Sequence, residues 1–242
     1  MIIGGLEKLS LLDYPDHLAA IVFTQGCNFR CHFCYNPMLV LPRKGEDKKN
    51  NKKEKGFPPL STEDLFLFLR ERHGRLDGVV ITGGEPTLHD DLPDFIKQIK
   101  AIGYDVKLDT NGTNPKMLAS LLEAGLLDYI AMDLKAPMEK YEETVGVKTD
   151  YNNLKKSAKM IIKSGLPHEF RTTVVPGLLE KEDFKSMGKL IKGAKNWYLQ
   201  TFKSDTALVD MEYYGQKPYT KQEMKEFAEI GKEAAGVCKV RS

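Results

Sequence analysis

No stretch of this 242-residue chain approaches the roughly 20 uninterrupted apolar residues that a membrane span requires. A basic segment followed by a long apolar run is also missing from the start of the chain. MIIGGLEKLSLLDYPDH therefore does not read as an export signal, and a cytoplasmic location with no membrane partner is expected. Cysteine is scarce: there are four, with Cys27, Cys31 and Cys34 inside eight positions and Cys238 far away. A disulfide framework would spread them along the chain, so the clustering points to metal or redox chemistry instead. An excess of one charge is lacking too. The formal charge is +2, and residues 43–56 alone carry +4, which leaves −2 elsewhere and excludes a nucleic-acid binder with a wide basic face. The segment 43–58 reads as a charged, solvated insertion, with docking to an acidic patch on a partner as the other reading.

What is present is a 41% hydrophobic chain long enough for one domain, taken as 1–242 with a C-terminal extension over 204–242. Short β-rich runs alternate with helical periodicity. Strands are expected at Ala19–Thr24, Gly78–Thr82, Asp105–Leu108, Tyr129–Asp133, Phe170–Val175 and Trp197–Phe202. Helices are expected at Thr62–Arg72, Leu92–Ile102, Pro115–Ala124, Asn152–Ser164 and Glu182–Lys192, with a last one from Thr220 to about Ala235. Ser61 with Asp64 marks a helix start, and Gly103, Gly125, Gly165 and Gly193 mark helix ends. Six strands separated by helices imply parallel pairing with right-handed crossovers. Periodicity leaves open whether the sheet is doubly wound or closes as a barrel, and both place function at the C-terminal ends of the strands.

TQGCNFRCHFC follows the first of these strands directly. Its spacing lets one loop aim three thiolates at a metal cluster. Three is the informative count, because a cluster used purely for structure or electron transfer is usually held by four cysteines. Structural zinc also wants four ligands, and His32 or Cys238 would have to complete it. Buried or redox-active thiols are the third reading. The other unusual motifs fall at later strand ends: Gly83-Gly84-Glu85-Pro86, KLDTNG (Lys107–Gly112) and AMDLKAP (Ala131–Pro137). Arg171 stands in an otherwise β-branched run, where a charge is costly unless it is paired or faces a ligand; Glu169 and Asp133 are candidate partners.

Cys27-x3-Cys31-x2-Cys34, with Phe33 before the last cysteine, resembles the signature of the radical S-adenosylmethionine (SAM) enzymes, and the later motifs follow in that family's order. The resemblance covers nearly the whole chain apart from 43–58 and the tail after about Asp210. It implies a partial, laterally open (β/α)6 TIM-like barrel with a C-terminal helical extension. It also implies a [4Fe–4S] cluster on Cys27, Cys31 and Cys34, whose fourth iron takes the methionine moiety of SAM. By the same resemblance Phe33 lies near the adenine, and the Gly83-Gly84-Glu85 motif binds the methionine amino group. Asp109, Asn111, Asp133, Lys135 and Arg171 surround the cofactor's carboxylate and ribose, with a monovalent cation near Asp109 and Asp133. The DTNG and DLK motifs resemble those of the glycyl-radical-enzyme activases. Gln200-Thr201-Phe202 stands where pyruvate formate-lyase activases have a histidine. The N-terminal stretch from Lys8 to Pro37 resembles instead the activating proteins of anaerobic ribonucleoside-triphosphate reductase. The expected function is an oxidoreductase that installs a glycyl radical on such a partner, with electrons from a flavodoxin- or ferredoxin-type donor. Another glycyl-radical partner, or a non-catalytic iron–sulfur or zinc protein, is the alternative. Tyr35 and Cys238 receive no chemical role.

Overall fold

The run AAIVFT forms a strand because its β-branched and aromatic residues suit a sheet covered on both faces, where an all-apolar sequence is the rule. The computed structural model describes residues 1–40 and 60–241; the insertion expected at 43–58 lies outside the described residues. Its strands are β1 (Ile3–Ser10), β2 (Ala19–Thr24), β3 (Gly78–Gly83), β4 (Asp105–Thr110), β5 (Tyr129–Asp133), β6 (His168–Val174), β7 (Ala194–Thr201) and β8 (Ala235–Arg241). They form one sheet in sequential order. Every neighbour pair from β2 to β8 is parallel, whereas β1 runs antiparallel to β2. Since β1 and β8 are not paired, the sheet curls without closing, and the open side is the expected lateral mouth.

The helices are α1 (Pro37–Val40), α2 (Thr62–Glu71), α3 (Leu92–Ile102), α4 (Pro115–Glu123), α5 (Tyr141–Val145), α6 (Tyr151–Lys163), α7 (Asp183–Leu190) and α8 (Lys221–Gly231). Their starts follow local chemistry. The Ser61 hydroxyl accepts from Asp64 N, Asn114 caps α4 ahead of Pro115, and Thr220 with Glu223 makes a reciprocal capping box on α8.

Strand alternation sorts the side chains into two populations. Val22, Ile81, Leu108, Phe170 and Leu199 face the helices and belong to the main core. The opposite face lines the interior of the curled sheet. There Tyr14, Ala19, Ile21, Val80 and Tyr129 form a small apolar cluster, while Lys107, Asp109, Asp133, Glu169 and Arg171 make the β4–β6 side charged.

Two edges differ from expectation. The sequence reading contained neither β1 nor β8. β1 carries Gly4-Gly5 and two register irregularities, which dilute its alternation. The extension expected to be helical stops at Gly231, not Ala235, and is completed by β8. Gly231 is where the chain turns onto the sheet: a Cβ there would run into the Cys238 sulfur and crowd Trp197. Cys238 is thus a packed strand residue, 2% exposed.

Candidate active site

The cysteine loop leaves β2 and is gripped from three sides. Beneath it, Gly84 N donates to the Thr24 carbonyl at 2.9 Å and Glu85 N to the Gly26 carbonyl at 2.8 Å. Gly83 sits at φ +113°, and a Cβ on Gly84 would collide with the Gly26 carbonyl. The close approach that calls for these glycines is therefore to the cysteine loop's own backbone. At one flank stands α5, which the sequence reading did not contain: Arg30 N donates to the Val145 carbonyl at 2.8 Å, and Gly146 lies against Arg30. The third side is the exit of β7. Val209 N and Asp210 N donate to the carbonyls of Cys34 and His32, and Lys203 N donates to the Tyr35 hydroxyl at 2.9 Å. Tyr35 stacks on Phe202, so it ties this loop to the strand end that departs from the histidine pattern.

Neither candidate for a fourth ligand is available to the loop. The His32 ring is engaged by Asp210 Oδ2 at 3.0 Å and by the Glu143 carbonyl at 3.1 Å. Cys238 lies in β8 against Gly231 and Trp197. Among the described residues, no three His, Cys, Asp or Glu side chains converge tightly enough for a single metal ion. Burial pushes the Cys27 thiol up to about 11 and the Cys31 thiol up to about 12, partly opposed by Lys135. Thiolates buried this deeply need cationic partners, which suits irons rather than free thiols. The Tyr141 hydroxyl is buried beside the Lys135 backbone and makes no full hydrogen bond among the described residues, and Lys135 and Cys31 are the charges acting on it most strongly. These observations fit a cluster with three protein ligands.

Glu85 is 1% exposed. It accepts from Thr87 N at 3.1 Å, Thr87 Oγ1 at 2.5 Å, Thr110 Oγ1 at 2.7 Å and Asn111 N at 2.6 Å. Burial raises its pKa despite these donors. Asn111 extends the brace, donating to Asn28 Oδ1 at 2.9 Å and accepting from Thr113 N at 3.0 Å. Glu85 and Asn111 thus lock the ends of β3 and β4 to the cysteine loop.

Above them a chain of charges crosses three strands. Lys107 Nζ meets Asp109 Oδ1 at 2.5 Å, and Arg171 donates to Asp109 Oδ2 at 2.8 Å. Arg171 also donates to Asp133 Oδ1 at 2.9 Å, while Lys135 holds Asp133 Oδ2 at 2.9 Å. Against the cost of their own burial, Arg171, Lys107 and Lys135 hold the two carboxyls below their ordinary values, and Asp133 foremost holds Lys135 protonated. Arg171 bridges both aspartates, not Glu169, which pairs instead with Arg241 at 2.9 Å. Three cations for two anions leave no uncompensated negative charge here for the expected monovalent cation to neutralise. Lys107, to which the sequence reading assigned no role, is 1% exposed. The signal for it was present: Lys107 and Asp109 are two apart on one strand and share a face. Lys135 Nζ lies 5.8 Å from the centre of the buried Phe33 ring, linking this chain of charges to the cysteine loop.

Comparison with known proteins bears on the family and the fold. The model of the Radical SAM superfamily matches residues 21–191. A protein of Methanocaldococcus jannaschii, named as a glycyl-radical enzyme activating enzyme, is 33% identical over 236 residues, covering 96% of this chain and 92% of that one. A protein of Saccharolobus solfataricus, named as a GTP 3',8-cyclase, is 33% identical over 168 residues, covering 68% of this chain and 50% of that one. Among solved structures, Streptococcus suis SuiB bound to precursor peptide SuiA superposes with a TM-score of 0.64 at 16% identity, over 92% of this chain and 48% of SuiB. That likeness is one of fold, and the chain spans about half of SuiB's length.

Proposed function

This chain belongs to the radical SAM superfamily, and on that premise we propose that it is a glycyl-radical-enzyme activase whose partner is anaerobic ribonucleoside-triphosphate reductase. The observation that carries the reading is the loop with three cysteines and, among the described residues, no fourth ligand in reach, set beside the charge chain at the ends of β4–β6. Cys27, Cys31 and Cys34 would hold a [4Fe–4S] cluster, which, when bound and reduced by an external one-electron donor, would supply the reductive cleavage of SAM that generates a radical able to take a hydrogen atom from a glycine of the partner.

The chain's own residues hold and orient. Arg171 and Lys135 present fixed positive charge to the cofactor's carboxylate, and Asp133 and Asp109 keep both cations in place and offer acceptors to the ribose. Phe33, buried under Lys135, packs the end of the cysteine loop on the side where the adenine would lie. Glu85 fixes the backbone whose carbonyls meet the methionine amino group. The open side between β1 and β8 admits a flexible glycine loop. Two features favour the reductase partner: the match of the N-terminal stretch, and Gln200-Thr201-Phe202 in place of a histidine.

The test is anaerobic reconstitution with iron and sulfide, followed by reduction with dithionite in the presence of SAM. Deoxyadenosine is expected from the wild type and from Cys238→Ala, and none from Cys27→Ala, Cys31→Ala or Cys34→Ala. Full activity in any of those three sinks the cluster assignment. Mixing with candidate glycyl-radical enzymes then identifies the partner by its glycine-centred EPR doublet. A doublet on another lyase and none on the reductase overturns the choice of partner.

A further inference from the structure

A groove of about 930 Å³ runs along the outer surface between α4 and α6. Its floor is apolar, with Leu122, Leu127 and Met160, and its walls carry Lys116, Lys156, Lys159 and Lys163 against a single acid, Glu123. The main anchors of α4 and α6 are the buried Leu118, Leu121, Leu154 and Ala158; Leu127 belongs to the same core, and Leu122 and Met160 pack on it from the groove side while staying partly exposed. None of the four lysines makes an ion pair within the described chain, whereas Lys100, Lys107, Lys135 and Lys140 do. Four unpaired cations around an apolar floor form a surface suited to an acidic protein with an apolar contact at its centre.

The two ends of the groove are not equivalent. One, at Gly125 and Leu166, lies toward the N-terminal ends of the strands. The other reaches Thr113, whose hydroxyl accepts from Asn28 Nδ2 at 2.9 Å, and Asn28 is the neighbour of Cys27. Ser157 of α6 donates to the Gly112 carbonyl at 2.7 Å, holding that wall of the groove to the same loop.

We propose that this groove is the docking surface of an acidic one-electron carrier protein, of flavodoxin or ferredoxin type, seated toward the Thr113 end. The proposal rests on reading the cysteine loop as a redox centre. A protein seated here stands on the helix side of the sheet, outside the interior where Lys135 and Arg171 lie, so it is badly placed to offer a glycine to the reaction. It is well placed to deliver an electron, because the groove meets the back of the cysteine loop through one side-chain contact. The carrier loses one electron and the centre gains one; no bond or proton is exchanged. Lysine-rich rims speed such encounters and make them sensitive to salt.

The test measures binding of a panel of flavodoxins and ferredoxins to the iron-free and reconstituted chains, together with the rate at which each reduced carrier bleaches the reconstituted centre. For the wild type, binding to both forms is expected and weakens as salt is raised. Lys156→Glu/Lys159→Glu is expected to weaken binding at least tenfold and to slow carrier-driven reduction to match, while reduction by dithionite is unchanged. Lys221→Glu/Lys225→Glu, on α8, is expected to change neither. Equal binding by the groove variant, an equal loss in the α8 variant, or no binding of any carrier to the wild type overturns the proposal. Wild-type protein that makes no deoxyadenosine with dithionite sinks the enzyme reading instead, and binding to the iron-free chain still decides the docking question.

Discussion

Gly84 rests its α-carbon against the carbonyl of Gly26, the residue before the first cysteine of the loop, with no room for a side chain between them. Adding a Cβ at Gly84 must displace the cysteine loop, since both sides of the clash are backbone. Gly84→Ala is therefore expected to lower iron per protein after reconstitution by more than half. Gly125 has φ +62° and nothing within 4 Å of its would-be Cβ, so Gly125→Ala costs about 1 kcal/mol of backbone strain and keeps its iron. Iron and sulfide analysis of the pair checks this. Equal iron contents would show that the contact does not position the loop.

Removing Arg171 strands two buried carboxylates. Arg171→Met is expected to lower stability at neutral pH by about 3–5 kcal/mol, read from urea unfolding of the iron-free protein. The two aspartates titrate below their ordinary values in the folded state, so the stability they contribute is present above the unfolded value and is lost as pH falls through the folded one. The gap between wild type and variant should therefore shrink on acidification below about pH 4. A gap that stays constant with pH would mean that Arg171 acts through packing alone.

Glu85 has the opposite sign. Burial raises its pKa above the ordinary 4.5. The stabilisation linked to its proton is complete below that value and is lost as pH rises through the folded one. Glu85→Gln abolishes that dependence, and it replaces one acceptor oxygen with an amide that faces donors from Thr87, Thr110 or Asn111. It is expected to lose about 1–3 kcal/mol at neutral pH and to show a flatter stability curve just above pH 4.5. Urea midpoints across pH 4–7 decide the matter, and parallel curves would contradict it.

Two buried tyrosines offer a matched contrast. The Tyr104 hydroxyl donates to the Leu69 carbonyl at 2.7 Å, whereas the Tyr141 hydroxyl, beside the Lys135 backbone, makes no full hydrogen bond among the described residues. In the iron-free protein Tyr104→Phe is expected to cost about 1 kcal/mol, and Tyr141→Phe to leave stability unchanged or raise it by about 1 kcal/mol. Losses of similar size in both would show that Tyr141 finds a partner in solution.

Much of this molecule was legible in one dimension because its signals are local. Ala19–Thr24 and Leu92–Ile102 were bounded correctly, since apolar period and flanking turn residues act over a few positions. The cysteine spacing and the polar strand ends stood out for the same reason: each is a short run whose composition is out of keeping with its element. β8 did not, because Ala235–Arg241 becomes a strand only when Gly231 lets it lie against Trp197.

The partners within the site were equally hidden. Asp109 and Arg171 are 62 residues apart, and His32 and Asp210 are 178 apart. Nothing in their separate neighbourhoods ties Arg171 to both aspartates rather than to Glu169, or withdraws His32 from the cysteines. Composition and spacing settled which chemical groups the chain brings to its strand ends. Sheet curvature and register settled which of them touch, because a charge inside a curled sheet takes whichever counter-charge the fold brings within reach, two residues along as for Lys107 and Asp109, on the next strand as for Arg171 and Asp133, or on the strand beyond as for Arg171 and Asp109.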